Sequence, residues 1–275
     1  MLYVNGRAVY QNRFPDGTLN MKVDKLPFDP INVITWTYES DAELFSLICL
    51  TKKLRERWNL DVLIRLYLPY IPHARMDRVK DEEDVFTLKY FADVINLLGF
   101  DRVLVHDPHS SVACSLINRI QIAEVRFFFE EVFTSLHEHE GVEYGDVLIC
   151  YPDEGAMKRY SDKIGDIYAC GTVFGIKRRD WRTGKIEGLD VNGDLNKVKG
   201  SNVLIIDDIC SRGGTFFHTA TKLKELGAEN IYLCVSHCEN TVLKGDLLKG
   251  DLIRKMYTTD SIFSENHPKI EVMPL

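Results

Sequence analysis

Val203-Leu-Ile-Ile-Asp-Asp-Ile-Cys-Ser-Arg-Gly-Gly-Thr215 runs from an aliphatic strand through two carboxylates into a Gly-containing loop, and the residues that follow, FFHTATKLKELG, carry a helical pattern. In an open parallel sheet such a loop lies at the carboxyl edge, where ligands bind. Its backbone N–H groups and the following helix N-terminus make an anion cradle. Adjacent carboxylates can then hold sugar hydroxyls or magnesium beside a bound phosphate. The loop has neither the GxxxxGK[ST] of a Walker P-loop nor the GxGxxG of a dinucleotide turn. An ordinary strand–turn–helix start would share the bare pattern, so the other motifs must decide.

Similar units recur along the chain: LDVLIRLYLPY, DRVLVHDPH, GDVLICYPDEG and NIYLCVSH are short β-type runs followed by a loop and a helical pattern. That alternation predicts α/β architecture, with mainly parallel sheets flanked by helices. Asp41 to Trp58 is amphipathic, with Leu44, Leu47, Ile48 and Leu54 at helical spacing, and VFTLKYFADVINLLG ends at Gly99. The polar stretch SLHEHEGVEYGD separates the first group of units from the second, which divides the chain into domains 1–135 and 136–275.

The 275 residues, 45% of them hydrophobic, suffice for two modest α/β domains. A formal net charge of -7 argues against a nucleic-acid partner, so an anionic ligand must meet local positive charge. There is no basic n-region with an apolar run behind it and no membrane-length apolar stretch, which predicts a cytoplasmic protein without a membrane partner. The seven cysteines mostly sit in aliphatic runs and are expected as free thiols. Cys234 and Cys238 with His237 lack the remainder of a zinc set, and read as core.

Four further constellations carry chemistry. Tyr70-Ile-Pro-His-Ala-Arg-Met-Asp-Arg78 follows a strand and offers Arg75 and Arg78, planar cations suited to nucleotide phosphates or to stacking on adenine. Asp107-Pro-His109 and Tyr151-Pro-Asp-Glu-Gly155 each stand at a strand end. Gly175-Ile-Lys-Arg-Arg-Asp180 precedes WRTGKIEGLDVNGDLN, which reads as a mobile hairpin over a site. Near the start lies Arg13-Phe-Pro-Asp-Gly-Thr18. Taken singly, a surface basic turn or a structural histidine explains each of these.

Together they resemble a known family. Val203 to Thr215 is similar to the phosphoribosyl pyrophosphate loop of the phosphoribosyltransferase superfamily, with Ser211-Arg212 where that family usually carries Asp-Thr. The other motifs resemble, in order, the Arg-Phe-Ser-Asp-Gly-Glu, Pro-Tyr-x-x-Tyr-Ala-Arg-Gln-Asp-Arg, Asp-Leu-His, Ser-Pro-Asp-x-Gly and Lys-Arg-Arg segments of the ribose-phosphate diphosphokinases, the phosphoribosyl pyrophosphate synthetases. Thr18 and Met76 replace the family's Glu and Gln. The similarity runs from Phe14 to about Met273, with the family's opening strand and helix reduced or missing and its last helix absent.

The resemblance implies two phosphoribosyltransferase-like domains, the first on the ATP side and the second on the ribose-phosphate side. It implies ATP binding by Phe14, Asp16, Arg75, Asp77, Arg78 and His109. Ribose-phosphate binding falls to Asp207, Asp208, Ser211, Arg212, Gly213, Gly214 and Thr215, and magnesium to His109 and Asp153. Catalysis would rest on Lys177, Arg179 and His109. Phe14 would reach the adenine site of a neighbouring subunit, which implies a homo-oligomer, at least a dimer.

The implied reaction moves the β,γ-diphosphoryl group of Mg-ATP to the anomeric hydroxyl of a ribose 5-phosphate moiety, releasing AMP. Arg212 either tightens the ordinary 5-phosphate of ribose 5-phosphate or serves a longer diphosphate arm such as that of ADP-ribose. The second case is similar to phage-encoded relatives that make ADP-ribose pyrophosphate in NAD salvage. A non-catalytic regulatory subunit of the synthetase type is the rival reading. A simple phosphoribosyltransferase would not need the motifs that precede the loop.

Overall fold

The five β-type runs of the sequence become inner, parallel strands of two sheets. The computed structural model describes residues 1–23, 29–57, 62–164, 169–179 and 186–275, the side chains of 177–179 and 186–189 excepted. The chain divides into two compact units, Met1–Glu124 and Val125–Leu275.

The first unit holds β1 (Leu2–Val4), β2 (Arg7–Val9), β3 (Gln11–Arg13), β4 (Leu19–Met21), β5 (Ile31–Trp36), α1 (Ala42–Arg57), β6 (Leu63–Leu68), α2 (Thr87–Leu97), β7 (Arg102–His106), α3 (Ser111–Leu116) and β8 (Ile120–Ala123). Its main sheet has the order β2-β1-β5-β6-β7-β8. Strands β5 to β8 are parallel, while β1 and β2 add an antiparallel edge. Helix α1 buries Leu47, Leu50 and Leu54 against this sheet, the spacing expected of its apolar stripe. Gly99, at φ +64, ends α2 in the left-handed conformation that an L side chain resists. Strands β3 and β4 form a separate hairpin.

The second unit holds α4 (Arg126–Glu140), β9 (Val147–Tyr151), α5 (Glu154–Tyr160), β10 (Ala169–Arg179), β11 (Ile186–Gly193), β12 (Asn202–Cys210), α6 (Gly214–Glu225), β13 (Asn230–Cys238), β14 (Lys255–Thr259) and β15 (Ile270–Met273). The sheet order is β11-β10-β9-β12-β13-β14-β15, parallel except for the outer β11. Every residue of β9 is buried, because apolar clusters cover both faces. One cluster contains Phe216, Ala220 and Leu223 of α6. The other contains Phe128, Phe129, Val132, Phe133 and Leu136 of α4 together with Tyr160 of α5.

That packing moves the boundary. The division at 135/136 falls inside α4, whose aromatic stripe belongs to the second core. The polar residues Ser135 to Glu140, which read as a linker, are the last turns of this helix, closed by left-handed Gly141 at φ +69.

His237 Nδ1 lies 2.8 Å from Ser261 Oγ in the core, and the seven cysteines are free. Among the described residues no helix is long and apolar enough to cross a membrane.

Candidate functional site

In the second unit the loop after β12 has the glycine-capped form that can cradle an anion. Gly213 caps α6 at φ +81, and a Cβ there would lie 2.7 Å from Leu247 Cδ2, so both conformation and space require glycine. A Cβ on Gly245 would overlap the carbonyl oxygen of Arg212. The segment from Glu239 to Leu247 thus braces the loop from behind. Arg212 and Gly214 are exposed, and Ser211 and Thr215 are partly buried.

The two acids at the end of β12 have different surroundings. Asp208 is 3% exposed and forms an ion pair with Arg159 of α5, Nη1 to Oδ2 at 2.8 Å. Burial works against the Arg159 charge, but the Asp208 carboxylate outweighs it and holds the guanidinium protonated above the ordinary arginine range. The Asp207 carboxylate accepts the Asp208 N–H at 2.9 Å. Its pKa is raised well above the ordinary carboxylate value by burial first, then by the Asp208 charge, with Asp153 adding to the repulsion. Asp207 is therefore the member of the pair left to meet a hydroxyl or a cation.

Asp153 stands at the N-terminus of α5, where its Oδ1 accepts the Ala156 N–H at 3.1 Å. It follows β9, which pairs in parallel with β12, so Asp153 and Asp207 stand at the same edge of the sheet, where the Asp153 charge adds to the Asp207 shift.

Ser211 donates its hydroxyl proton to Glu239 Oε2 at 2.8 Å, and Thr241 Oγ1 donates to the same oxygen at 3.0 Å. Sequence reasoning missed both Arg159 and Glu239. The available signal for Glu239 was its place just beyond β13, at the carboxyl edge of a parallel strand. For Arg159 it was a cation between Ala156 and Tyr160, both buried, in a short helix.

Lys177 and Arg179 lie in β10, their backbones paired with Leu189 and Ile186 of β11 across an irregularity at Arg178/Arg179. The expected loop is thus extended strand at this point, and the Lys177 and Arg179 side chains lie outside the described residues.

In the first unit the structure links two motifs. Asp77 is buried and accepts from Arg78 Nε at 2.7 Å and Nη2 at 3.1 Å. Its pKa is held below the ordinary carboxylate value by the Arg78 hydrogen bonds, opposed by burial and assisted by the Ser110 hydroxyl and the His109 charge. Asp77 thus lies within electrostatic reach of His109 in the Asp-Pro-His turn, and Arg75 and Arg78 are exposed. Asp107, 2% exposed at φ +38, and His73, at φ +62, hold left-handed backbone that costs a non-glycine residue energy. Both sit in loops that follow parallel strands.

On the β3–β4 hairpin, Phe14 is 51% exposed. Thr18, standing in for the family's glutamate, gives Asp16 Oδ1 both its N–H at 3.0 Å and its hydroxyl at 2.7 Å. These bonds, the hydroxyl first, lower the Asp16 pKa.

A pH consequence follows from Asp207. Below its unfolded pKa, near ~3.9, the acid is protonated in both states and costs nothing. As pH rises into the window below the raised folded pKa, the unfolded state ionises first and stability falls. Asp207→Asn should therefore raise Tm at pH 7.5 in chelator without substrate, by about 2–4 °C for each kcal/mol relieved. The gain should vanish near pH 4, and an unchanged or lower Tm at pH 7.5 would refute it.

A phosphoribosyl transferase domain matches residues 123–255. The ribose-phosphate pyrophosphokinase of Thermococcus kodakarensis is 28% identical over 232 residues, covering 82% of this chain and 75% of that protein. The crystal structure of phosphoribosylpyrophosphate synthetase from Mycobacterium smegmatis matches with a TM-score of 0.73 over 97% of this chain and 86% of that one, at 18% identity, a likeness of fold. The ribose-phosphate pyrophosphokinase of Pyrococcus furiosus is 30% identical over 233 residues, covering 82% of this chain and 76% of that protein. With the loop, its paired acids and both sheets in place, the chain belongs to the ribose-phosphate pyrophosphokinase family of transferases.

Proposed function

We propose that the protein transfers the β,γ-diphosphoryl group of ATP to the anomeric hydroxyl of a ribose 5-phosphate moiety, with ADP-ribose as the acceptor. The bond from the anomeric oxygen to the β-phosphorus forms, the bond between the β-phosphorus and the oxygen bridging to the α-phosphorus breaks, the hydroxyl proton leaves to solvent, and AMP departs. The end of β12 supports the reaction: an unpaired Asp207 beside a glycine-capped anion loop can hold the ribose hydroxyls while the loop holds the 5-phosphate. Exposed Arg212 supports the acceptor, because it adds a fixed cation where a second phosphate would extend beyond the loop.

Magnesium fits the donor set. Asp153 and Asp207 are hard oxygen donors; burial and the Asp208 charge do most to raise the Asp207 pKa, and a divalent ion would offset the further repulsion from Asp153. Among the described residues no three His, Cys, Asp or Glu side chains form a metal site, and magnesium completes its shell with water and phosphate oxygens. When bound, it would neutralise charge on the diphosphoryl oxygens. His109, a softer nitrogen donor close to Asp77, suits the ATP phosphates better than the metal. Arg75 and Arg78 would bind the nucleotide. The exposed Phe14 supports adenine contact in a neighbouring copy, and hence a homo-oligomer.

The test is AMP release from Mg-ATP with ADP-ribose or ribose 5-phosphate, with products identified by mass. AMP with ADP-ribose, and a diphosphorylated ADP-ribose product, is the expected result. AMP with ribose 5-phosphate alone would replace the acceptor, and no AMP with either would favour the non-catalytic subunit.

A further inference from the structure

We infer that Glu239 sets which phosphate the loop accepts: its carboxylate disfavours a doubly charged terminal phosphate and favours a singly charged phosphate ester. This rests on the reading that the loop after β12 holds the acceptor's 5-phosphate. Anion loops use hydroxyl protons to grip oxygens, but the Ser211 proton is committed to Glu239 Oε2 at 2.8 Å, and Thr241 donates to the same oxygen at 3.0 Å. Ser211 Oγ and Thr241 Oγ1 are themselves 3.2 Å apart, which closes a triangle behind the loop.

This triangle connects residues 28 apart in sequence, at the ends of neighbouring parallel strands β12 and β13. Its position is fixed from behind by Gly245, which lies against the Arg212 carbonyl. A carboxylate is thereby built one hydroxyl away from the anion it must tolerate.

The consequence depends on charge. A terminal phosphate monoester carries close to two negative charges at neutral pH, its second pKa being about 6. Each phosphorus of a diphosphate diester carries one. The extra charge, at roughly 6 Å from a carboxylate and partly screened by water, costs about tenfold in affinity. Arg212, exposed on the same loop, compensates better for charge spread along an arm than for charge concentrated at the loop floor.

Glu239→Gln removes the charge and keeps an oxygen to accept from Ser211 and Thr241. The probes are ribose 5-phosphate and its 5-(methyl phosphate) ester, which differ by one charge and one methyl group. The measured quantity is the ratio of their kcat/KM values or, if neither is turned over, of their inhibition constants against ADP-ribose. The wild-type ratio should favour the ester, and E239Q should shift it about tenfold toward ribose 5-phosphate. Ser211→Ala, which leaves the charge in place, should move the ratio far less. An unchanged ratio in E239Q, or an equal shift in S211A, overturns the role of Glu239. The wild-type choice between ADP-ribose and ribose 5-phosphate separately decides the acceptor, so either idea can fail alone.

Discussion

Replacing Arg159 by methionine should destabilise the second unit by about 3–5 kcal/mol, because it strands a buried carboxylate without its counter-charge. Asp208 is 3% exposed, and the guanidinium of Arg159 lies 2.8 Å from its Oδ2. Methionine matches much of the arginine stem and fills the same path, so packing changes little and the missing charge dominates. The loss should appear as a Tm fall of roughly 10 °C. Arg159→Met combined with Asp208→Asn removes both charges and should recover part of it, since replacing a whole buried pair is far milder than breaking one. A single variant within about 1 kcal/mol of wild type, or a double variant no better than the single, would sink the assignment. Arg159 acts through Asp208 and is a positioning residue. The ion pair engages Asp208 and leaves the Asp207 carboxyl outside it at the end of β12.

The same pair shows what a sequence can and cannot disclose. The run from Val203 to Thr215 was readable because aliphatic strand, acids and glycines are contiguous, and each is required locally: burial on both faces for the strand, positive φ for Gly213. Arg159 and Glu239 come from α5 and from the end of β13, and only the sheet order β9-β12-β13 brings their neighbourhoods beside the loop. No periodicity encodes that adjacency.

Other omissions have different causes. Strands β1 to β4 are three residues each, too short for alternation to show. The end of α4 reads as a linker because its exposed face is polar, while Phe128, Phe129, Val132 and Phe133 in the turns just before it set its apolar stripe. Asp77 read as a nucleotide ligand. In the structure its carboxylate accepts from Arg78, a local contact that the motif alone does not disclose.

Lys177→Ala should lower kcat by roughly 10²- to 10⁴-fold, the range expected when a positioned charge on the transferred group is removed. Diphosphoryl transfer spreads negative charge over the equatorial oxygens of the β-phosphorus as the bridging bond lengthens, and little covalent work remains for the protein beyond placing cations there. The backbone of Lys177 lies in β10, paired with Leu189 of β11, so the residue is carried by an antiparallel ribbon rather than by an irregular loop. An interaction made mainly in the transition state lowers kcat while KM for ATP moves far less, and that is the split expected here. Arg179→Ala should act in the same direction, and the double variant should fall well short of the product of the two losses if the cations work as one clamp. A Lys177→Ala enzyme with near-normal turnover would remove Lys177 from the chemistry. A raised KM at unchanged kcat would make it a nucleotide-binding residue instead.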